Sequence, residues 1–176
     1  SLLRQVAKVF ESQGYAIVGA HEANPELCLE EGLQAGEAPS PEAREDMEDA
    51  FRVAHALGAL DIGQAAVVAG RITLAVEAQE GTDALLKRVA TLSPVLIGTA
   101  ARRKGVLAKV PKPIQDLRLD MPTIGVQTVE AAAAAGLSGI VGQAGALLVV
   151  DKARVYARAA ELGLFIYGHA PNPQAD

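Results

Sequence analysis

Residues 109–120 read K-V-P-K-P-I-Q-D-L-R-L-D and bring carboxylate, guanidinium and ammonium groups into one short stretch. In an extended segment, side chains two residues apart share a face. The spacing therefore predicts that Asp116, Arg118 and Asp120 face one way, and that the leucines between them and Met121 face the other. Carboxylates hold Mg²⁺ beside phosphates, and arginine binds phosphate through two parallel hydrogen bonds. The stretch favours phosphate chemistry, although the same alternation also occurs on a solvated strand face with an internal salt bridge.

A second acidic group lies where a predicted strand meets a predicted helix. Glu77 and Glu80 come at the end of the strand, and Gly81, Thr82 and Asp83 open the helix. Free backbone N–H groups at a helix N-terminus bind anions, but acidic neighbours oppose an anion unless a metal ion lies between them. The alternative is a simple strand-to-helix turn in which Thr82 caps the helix.

Further polar residues could complete a phosphate site. Lys109 and Lys112 add the positive charge that a pyrophosphate needs, and Gln64 could bond an amide or a hydroxyl group of a ligand. The alternative is that Gln64 is an ordinary loop residue. The chain has three histidines, His21, His55 and His169. Their spacing matches no known metal-binding motif.

The composition excludes some classes of function. The net charge of −5 and the pI of about 5.2 argue against a nucleic-acid-binding domain. The single cysteine, Cys28, permits no intrachain disulfide and fits a reducing compartment. We see neither an apolar run of membrane-spanning length nor a signal peptide. These features predict a cytoplasmic protein, with association at a membrane surface still possible for a lipid substrate.

The elements that must position these residues alternate between strands and helices. Helices are predicted over 2–14, 40–58, 80–92, 125–136 and 151–163. Strands are predicted over 15–22, 105–110, 138–142, 146–151 and 164–168, with a hairpin over 63–78 that turns at Ala69-Gly70. Residues 25–41 are interpreted as a linker. The pattern predicts an α/β domain with a mixed sheet flanked by helices.

The domain organisation follows from the start of the chain. A helix followed by a strand, with no strand before it, is typical of the last part of an α/β unit. Residues 1–38 are therefore predicted to be the truncated remnant of an N-terminal α/β domain with its linker. Residues 39–170 are predicted to form a C-terminal catalytic domain, and residues 171–176 a loose tail.

Four segments occur in the order and spacing of a known family. They are A-L-D-I-G-Q-A-A-V-V, L-A-V-E-A-Q-E-G-T-D-A-L-L-K-R, G-V-L-A-K-V-P-K-P-I-Q-D-L-R-L-D-M-P-T-I-G and T-V-E-A-A-A-A-A-G-L-S-G-I. Together they resemble the LpxI-type UDP-2,3-diacylglucosamine pyrophosphatases of lipid A biosynthesis in Gram-negative bacteria. The resemblance covers roughly residues 1–170, and its most specific parts are the K-P-I-Q-D-L-R-L-D-M-P-T-I-G block and E-G-T-D.

The resemblance implies an activity. Members of this family hydrolyse the pyrophosphate of UDP-2,3-diacylglucosamine to 2,3-diacylglucosamine 1-phosphate (lipid X) and UMP. They require Mg²⁺ or another divalent cation and are thought to be homodimers. The expected partner is thus a lipid-linked UDP-sugar, and the expected place is the cytoplasm, including the inner face of the inner membrane.

The resemblance also implies roles for particular residues. Asp120, Asp116 and Arg118 match catalytic positions, with Asp120 the first choice for the essential group. The implied phosphate- and substrate-binding residues are Lys109, Lys112, Gln115, Gln64, Thr82 and Gly81. The implied metal ligands are Asp120, Asp116, Glu80, Asp83 and Glu77.

Two other functions remain open at the level of sequence. One is a different Mg²⁺-dependent hydrolase of nucleotide sugars or phosphoesters. The other is a non-catalytic module that binds a lipid or a nucleotide. The residues alone do not decide which phosphorus atom is attacked, or which aspartate holds the metal ion.

Overall fold

The computed structural model describes residues 2–170 and has a mixed α/β architecture. The helices are α1 Leu2–Ser12, α2 Ala20–Ala23, α3 Pro41–Ala59, α4 Thr82–Val89, α5 Val126–Ala134 and α6 Lys152–Glu161. The strands are β1 Gly32–Ala35, β2 Ala65–Ala69, β3 Ile72–Val76, β4 Val106–Lys109, β5 Thr123–Ile124, β6 Gly139–Gln143, β7 Leu148–Val149 and β8 Phe165–His169. The tail predicted over 171–176 lies outside the described residues.

A six-stranded sheet in the order β1-β8-β6-β4-β2-β3 forms the centre of the molecule. Strands β4, β6 and β8 are parallel, whereas β1 and β2 run antiparallel to their neighbours and β2 forms the hairpin with β3. Strands β5 and β7 make a separate parallel pair. The predicted mixed sheet flanked by helices is therefore confirmed.

The two faces of the sheet bury different helices. In β2, Ala65 and Val67 pack into one apolar cluster and Ala66 and Val68 into the other, as the alternation of side chains along a strand requires. The first cluster contains buried residues of α4, α5 and α6, and the second contains those of α3. Because β2 is buried on both faces, it reads as a continuous apolar run rather than an alternating one.

Three local predictions were wrong or incomplete. Residues 15–19 form no strand, and the chain instead enters α2, where the Glu22 carboxylate accepts a hydrogen bond from Gly19 N at 2.8 Å. The predicted linker contains strand β1, an edge strand whose register shifts between Leu33 and Ala35, which removes the alternating pattern. The hairpin turns at Gly70 and Arg71, one residue later than predicted, and both have positive φ.

Helix α1 packs weakly against the rest of the molecule. Within its described residues Ala7 is buried, whereas most of its apolar side chains are exposed. Among residues 2–170, no helix is both long enough and apolar enough to cross a membrane.

Candidate active site

The sheet pairing brings three of the predicted site residues to one edge. Ala65 at the start of β2 pairs with Lys109 at the end of β4. Glu77, directly after β3, donates its backbone N–H to Ala65 O at 2.8 Å. Gln64, directly before β2, accepts a hydrogen bond from Val110 N at 2.9 Å. The start of β2 and the ends of β3 and β4 therefore place Gln64, Glu77 and Lys109 side by side.

Lys109, Glu77 and Thr82 form a buried polar cluster at this edge. Their exposed fractions are 9%, 5% and 8%. Lys109 Nζ donates to Thr123 O at 2.9 Å, and Thr82 Oγ1 donates to Glu77 Oε1 at 3.3 Å. A side chain at Gly63 would collide with the carbonyl group of Glu77, so only glycine fits beside this cluster. The predicted phosphate-binding lysine is thus a buried residue that ties β4 to β5.

The charges of this cluster act on one another. Burial raises the pKa of Glu77, and the nearby Lys109 opposes that rise. Burial lowers the pKa of Lys109, which Glu77, Asp83 and Asp120 oppose in that order. The acidic residues of both sequence motifs therefore lie around one lysine. Among residues 2–170, Glu77 Oε2 and Gln64 Oε1 are buried and have no hydrogen-bond partner.

The loop between β4 and β5 is turned rather than extended. Leu119 N and Asp120 N both donate to Asp116 O, at 2.9 and 3.1 Å, which closes a turn over 116–120. The predicted face shared by Asp116, Arg118 and Asp120 is therefore wrong. Prolines at both ends of the loop remove backbone donors, and the Asp116 side chain accepts a further bond from Arg118 N at 3.1 Å, so local bonds replace a strand ladder. Met121 is buried, as predicted, and anchors the end of the loop.

Asp116 and Arg118 form a two-point ion pair within this turn. Arg118 Nε donates to Asp116 Oδ1 at 3.0 Å and Arg118 Nη2 donates to Asp116 Oδ2 at 2.7 Å. These hydrogen bonds lower the pKa of Asp116 and raise that of Arg118. Arg118 Nη1 also donates to Glu11 Oε1 of α1 at 3.2 Å. Both groups are thus charged, and Asp116 is already neutralised by an arginine.

Asp120 lies in a different set of contacts. Its Oδ2 accepts from Gln115 Nε2 at 2.8 Å, and Gln115 Oε1 accepts from Lys112 N at 3.1 Å. Lys112 Nζ in turn donates to Asp61 Oδ1 at 2.8 Å, and this hydrogen bond lowers the pKa of Asp61. Gln115 therefore orients Asp120, while Lys112 links the loop to the segment that leads into β2.

A cavity of about 350 Å³ opens beside these groups. Five predicted residues line it: Gln64, Lys112, Gln115, Asp116 and Asp120. Five others line it that the sequence reasoning missed: Leu3, Arg4, Asp61, Ile114 and Leu119. Arg4 donates from Nη2 to the carbonyl of Ile114, more than a hundred residues away in sequence, so no local signal could have found it. Asp61, in contrast, belongs to the D-I-G-Q segment that the sequence had singled out.

Other predicted residues lie outside the lining of this cavity. Glu80 pairs with Arg88 at 2.8 Å and accepts from Ala78 N at 2.9 Å, so it closes its own turn. Gly81, rather than Thr82, is the N-cap of α4 and has a φ of 81°, and the hydroxyl of Thr82 is bonded to Glu77. Asp83 is exposed at the first turn of α4.

The five predicted metal ligands do not form one group. Within the described part of the chain, no three His, Cys, Asp or Glu residues are placed to share a metal ion. Asp116 and Asp120, however, line the same cavity. Mg²⁺ is commonly held by one or two carboxylates together with water and substrate phosphates rather than by an all-protein cage. A carboxylate oxygen has two lone pairs, so Asp116, bonded to Arg118, and Asp120, bonded to Gln115, keep acceptor capacity for such a cation. Glu77 and Glu80 lie outside the lining of the cavity.

The fold and this cavity define an α/β domain with an acidic and basic site at one edge of its sheet. Residues 30–167 match the model of the LpxI C-terminal domain, and the chain belongs to that family. It is 55% identical over 171 residues to the UDP-2,3-diacylglucosamine pyrophosphatase LpxI of Caulobacter vibrioides. The alignment covers 97% of this chain and 61% of that relative, so the chain spans about three fifths of its length. The family resemblance seen in the sequence is confirmed.

Proposed function

We propose that this chain hydrolyses the pyrophosphate bond of UDP-2,3-diacylglucosamine, giving lipid X and UMP in lipid A biosynthesis. The observation that carries the proposal is the cavity, whose lining contains both motif aspartates together with two cationic residues, Lys112 and Arg4. A pyrophosphate needs cations to offset its charge and carboxylates to hold a divalent metal ion. Membership of the LpxI C-terminal domain family supports the same substrate class.

Asp120 and Asp116 are the residues that would hold Mg²⁺ or another divalent cation. Such an ion, when bound, polarises a phosphoryl oxygen and promotes attack by water. Gln115 fixes one oxygen of Asp120, which leaves the other oxygen free for the cation or for the proton of the attacking water. The two-point pair with Arg118 keeps Asp116 ionised and in place.

The basic residues bind and orient the phosphates in this proposal. Lys112 and Arg4 line the cavity directly, and Arg118 is not among the lining residues but is paired with Asp116, which is. Gln64 lines the cavity, and its amide group is suited to bond a hydroxyl or an amide group of the substrate. The buried cluster of Lys109, Glu77 and Thr82 does not contact the substrate in this proposal. It positions the loop, because Lys109 donates a hydrogen bond to Thr123 at the end of the loop.

The partners and location are also proposals. A lipid-linked UDP-sugar substrate would be met at the inner face of the inner membrane by a protein that is otherwise cytoplasmic. The family resemblance favours a homodimer as the active form of the protein. Neither point depends on the geometry of the cavity.

Release of UMP from UDP-2,3-diacylglucosamine by the purified chain tests the proposal. We expect release with Mg²⁺ and loss of release in excess chelator. UDP-N-acetylglucosamine, which lacks the acyl chains, is the comparator. Equal turnover of both substrates would favour a general nucleotide-sugar hydrolase, and chelator-insensitive binding without turnover would favour a binding module.

A further inference from the structure

Helix α1 contacts the candidate catalytic loop through its polar side. Arg4 donates to the carbonyl of Ile114, and Glu11 accepts from Arg118. Ala7 lies between them on the same side of the helix and is the buried residue of α1. These contacts hold α1 against the loop segment 112–120 at Ile114 and at Arg118. Because the matched family model begins at residue 30, this contact reaches the site from outside the matched domain.

The Glu11 contact matters because it completes the hydrogen bonding of Arg118. A guanidinium has five N–H donors, and it binds carboxylate or phosphate through an edge that offers two of them. The edge formed by Nε and Nη2 is on Asp116, at 3.0 and 2.7 Å. The other edge contains Nη1, which donates to Glu11 at 3.2 Å. A phosphate that binds the edge formed by Nη1 and Nη2 would therefore compete with Glu11 for Nη1.

Glu11 is the weaker of these two partners. It makes one contact at 3.2 Å, and the side chains of Arg118 and Glu11 are 38% and 41% exposed. Asp116 makes two contacts and lies two residues from Arg118 in the same turn, so its geometry is fixed locally. Exposed single-contact ion pairs contribute little and are screened by salt, whereas two-point pairs are stronger. An incoming anion would displace Glu11 first.

We propose that Glu11 is a positioning residue that occupies the phosphate-binding edge of Arg118 and yields it to the pyrophosphate of the substrate. Its departure would release the C-terminal end of α1 from the loop, while Arg118 stays fixed on Asp116. Ligand binding at the cavity would thus be coupled to the seating of α1. The inference rests on the proposed function in one respect, because it requires a phosphate to reach Arg118.

The test is a double-mutant cycle with UDP as the probe, measured by titration calorimetry at low salt. Glu11→Gln should bind UDP roughly two- to fivefold more tightly than the unmodified chain, since it removes a competitor worth one exposed ion pair. Combining Glu11→Gln with Arg118→Gln should abolish that gain if Glu11 acts through Arg118. The matched control is Glu26→Gln, a carboxylate that is exposed outside the cavity lining. Its affinity should equal that of the unmodified chain.

Hydrogen exchange provides a second readout that a purely structural role would not produce. UDP should increase amide exchange in the second half of α1 in the unmodified chain, and uridine, which lacks phosphates, should not. Several results would overturn the inference: unchanged or weaker UDP binding by Glu11→Gln, or a gain that persists with Arg118→Gln. If Arg118→Gln alone weakens UDP binding, the proposed contact of Arg118 with phosphate is supported even where the role of Glu11 is overturned. Absence of UDP binding in all variants would remove both the inference and the proposed phosphate site.

Discussion

At the scale of single residues, the most unusual group is Lys109 with Glu77. Both are buried, and burial shifts the pKa of each towards its neutral form, while their mutual attraction opposes that shift. The cluster is retained although two buried ionisable groups are costly to desolvate. The group lies beside Gln64, which lines the cavity, and Asp120 acts on the pKa of Lys109, so the cluster connects the sheet to the cavity lining.

Lys109→Met should lower the free energy of unfolding by about 3 kcal/mol, because it removes the hydrogen bond to Thr123 O and the positive charge that attracts buried Glu77. The double variant Lys109→Met/Glu77→Gln should cost less than the sum of the two single changes, since it removes both of the charges that attract each other. Urea unfolding measures all four corners of the cycle. Lys87→Met, at an exposed position of α4, is the control and should be near neutral. Strict additivity of the two changes in unfolding free energy would contradict the mutual attraction of Lys109 and Glu77.

At the scale of elements, the packing of α3 on β8 contains a titrating group. Phe51 stacks on His169 at 4.2 Å between ring centroids and meets His55 edge-on at 4.6 Å. Burial lowers the pKa of His55 below its ordinary value of 6.5, and His169 lowers it further. His169 itself contacts Glu48 at 3.0 Å. The interface therefore favours a neutral His55.

The sign of the resulting pH dependence follows from that shift. The unfolded chain binds a proton at His55 more readily than the folded chain, so stability is lost as pH falls through 6.5. We expect His55→Leu to lose less stability than the unmodified chain between pH 7.5 and pH 5.5. Thermal unfolding at the two pH values measures the difference. Equal losses in both proteins would show that His55 does not titrate in this range.

Strand β1 depends on a close approach of two backbones. Gly168 of β8 pairs with Gly32 of β1, and a side chain at Gly168 would collide with the carbonyl oxygen of Glu30. Gly168→Ala should therefore cost about 2 kcal/mol through overpacking. Gly125→Ala meets no atom within 4 Å and should cost roughly 1 kcal/mol or less, as the loss of a helix-cap glycine. Chemical denaturation compares the two, and equal costs would contradict the close approach.

Sequence could predict the elements whose patterns are local. Helix α3 begins at Pro41 after a Ser40 cap, and the hairpin is marked by two apolar runs around a glycine, so both followed from short-range signals. Strand β1 has four residues, pairs on one side and has an irregular register, so it carried no alternation to detect. The loop over 116–120 was misjudged because the Asp116 side chain and carbonyl make bonds that a two-residue period cannot show.

At the scale of the whole molecule, the site is an assembly of distant segments. Sequence found Asp116, Asp120 and Lys112 because they belong to one motif, whereas Arg4 enters the cavity from α1 by tertiary packing. Acidic residues of both motifs come close to one common residue, Lys109, and oppose the fall in its pKa that burial causes. The position of Lys109 depends in turn on the pairing of β2 with β4. Residue types therefore indicated the chemistry, and the topology determined which of them share a cavity.

The most direct test of the central claim is Asp120→Asn assayed for Mg²⁺-dependent release of UMP from UDP-2,3-diacylglucosamine. The change keeps the size of the side chain and removes the charge that the proposal assigns to the cation or proton. We predict a loss of about 100-fold or more in turnover, with an unchanged unfolding midpoint and with Glu26→Gln as an active control. Turnover close to that of the unmodified chain would contradict the assignment of this cavity as the catalytic site.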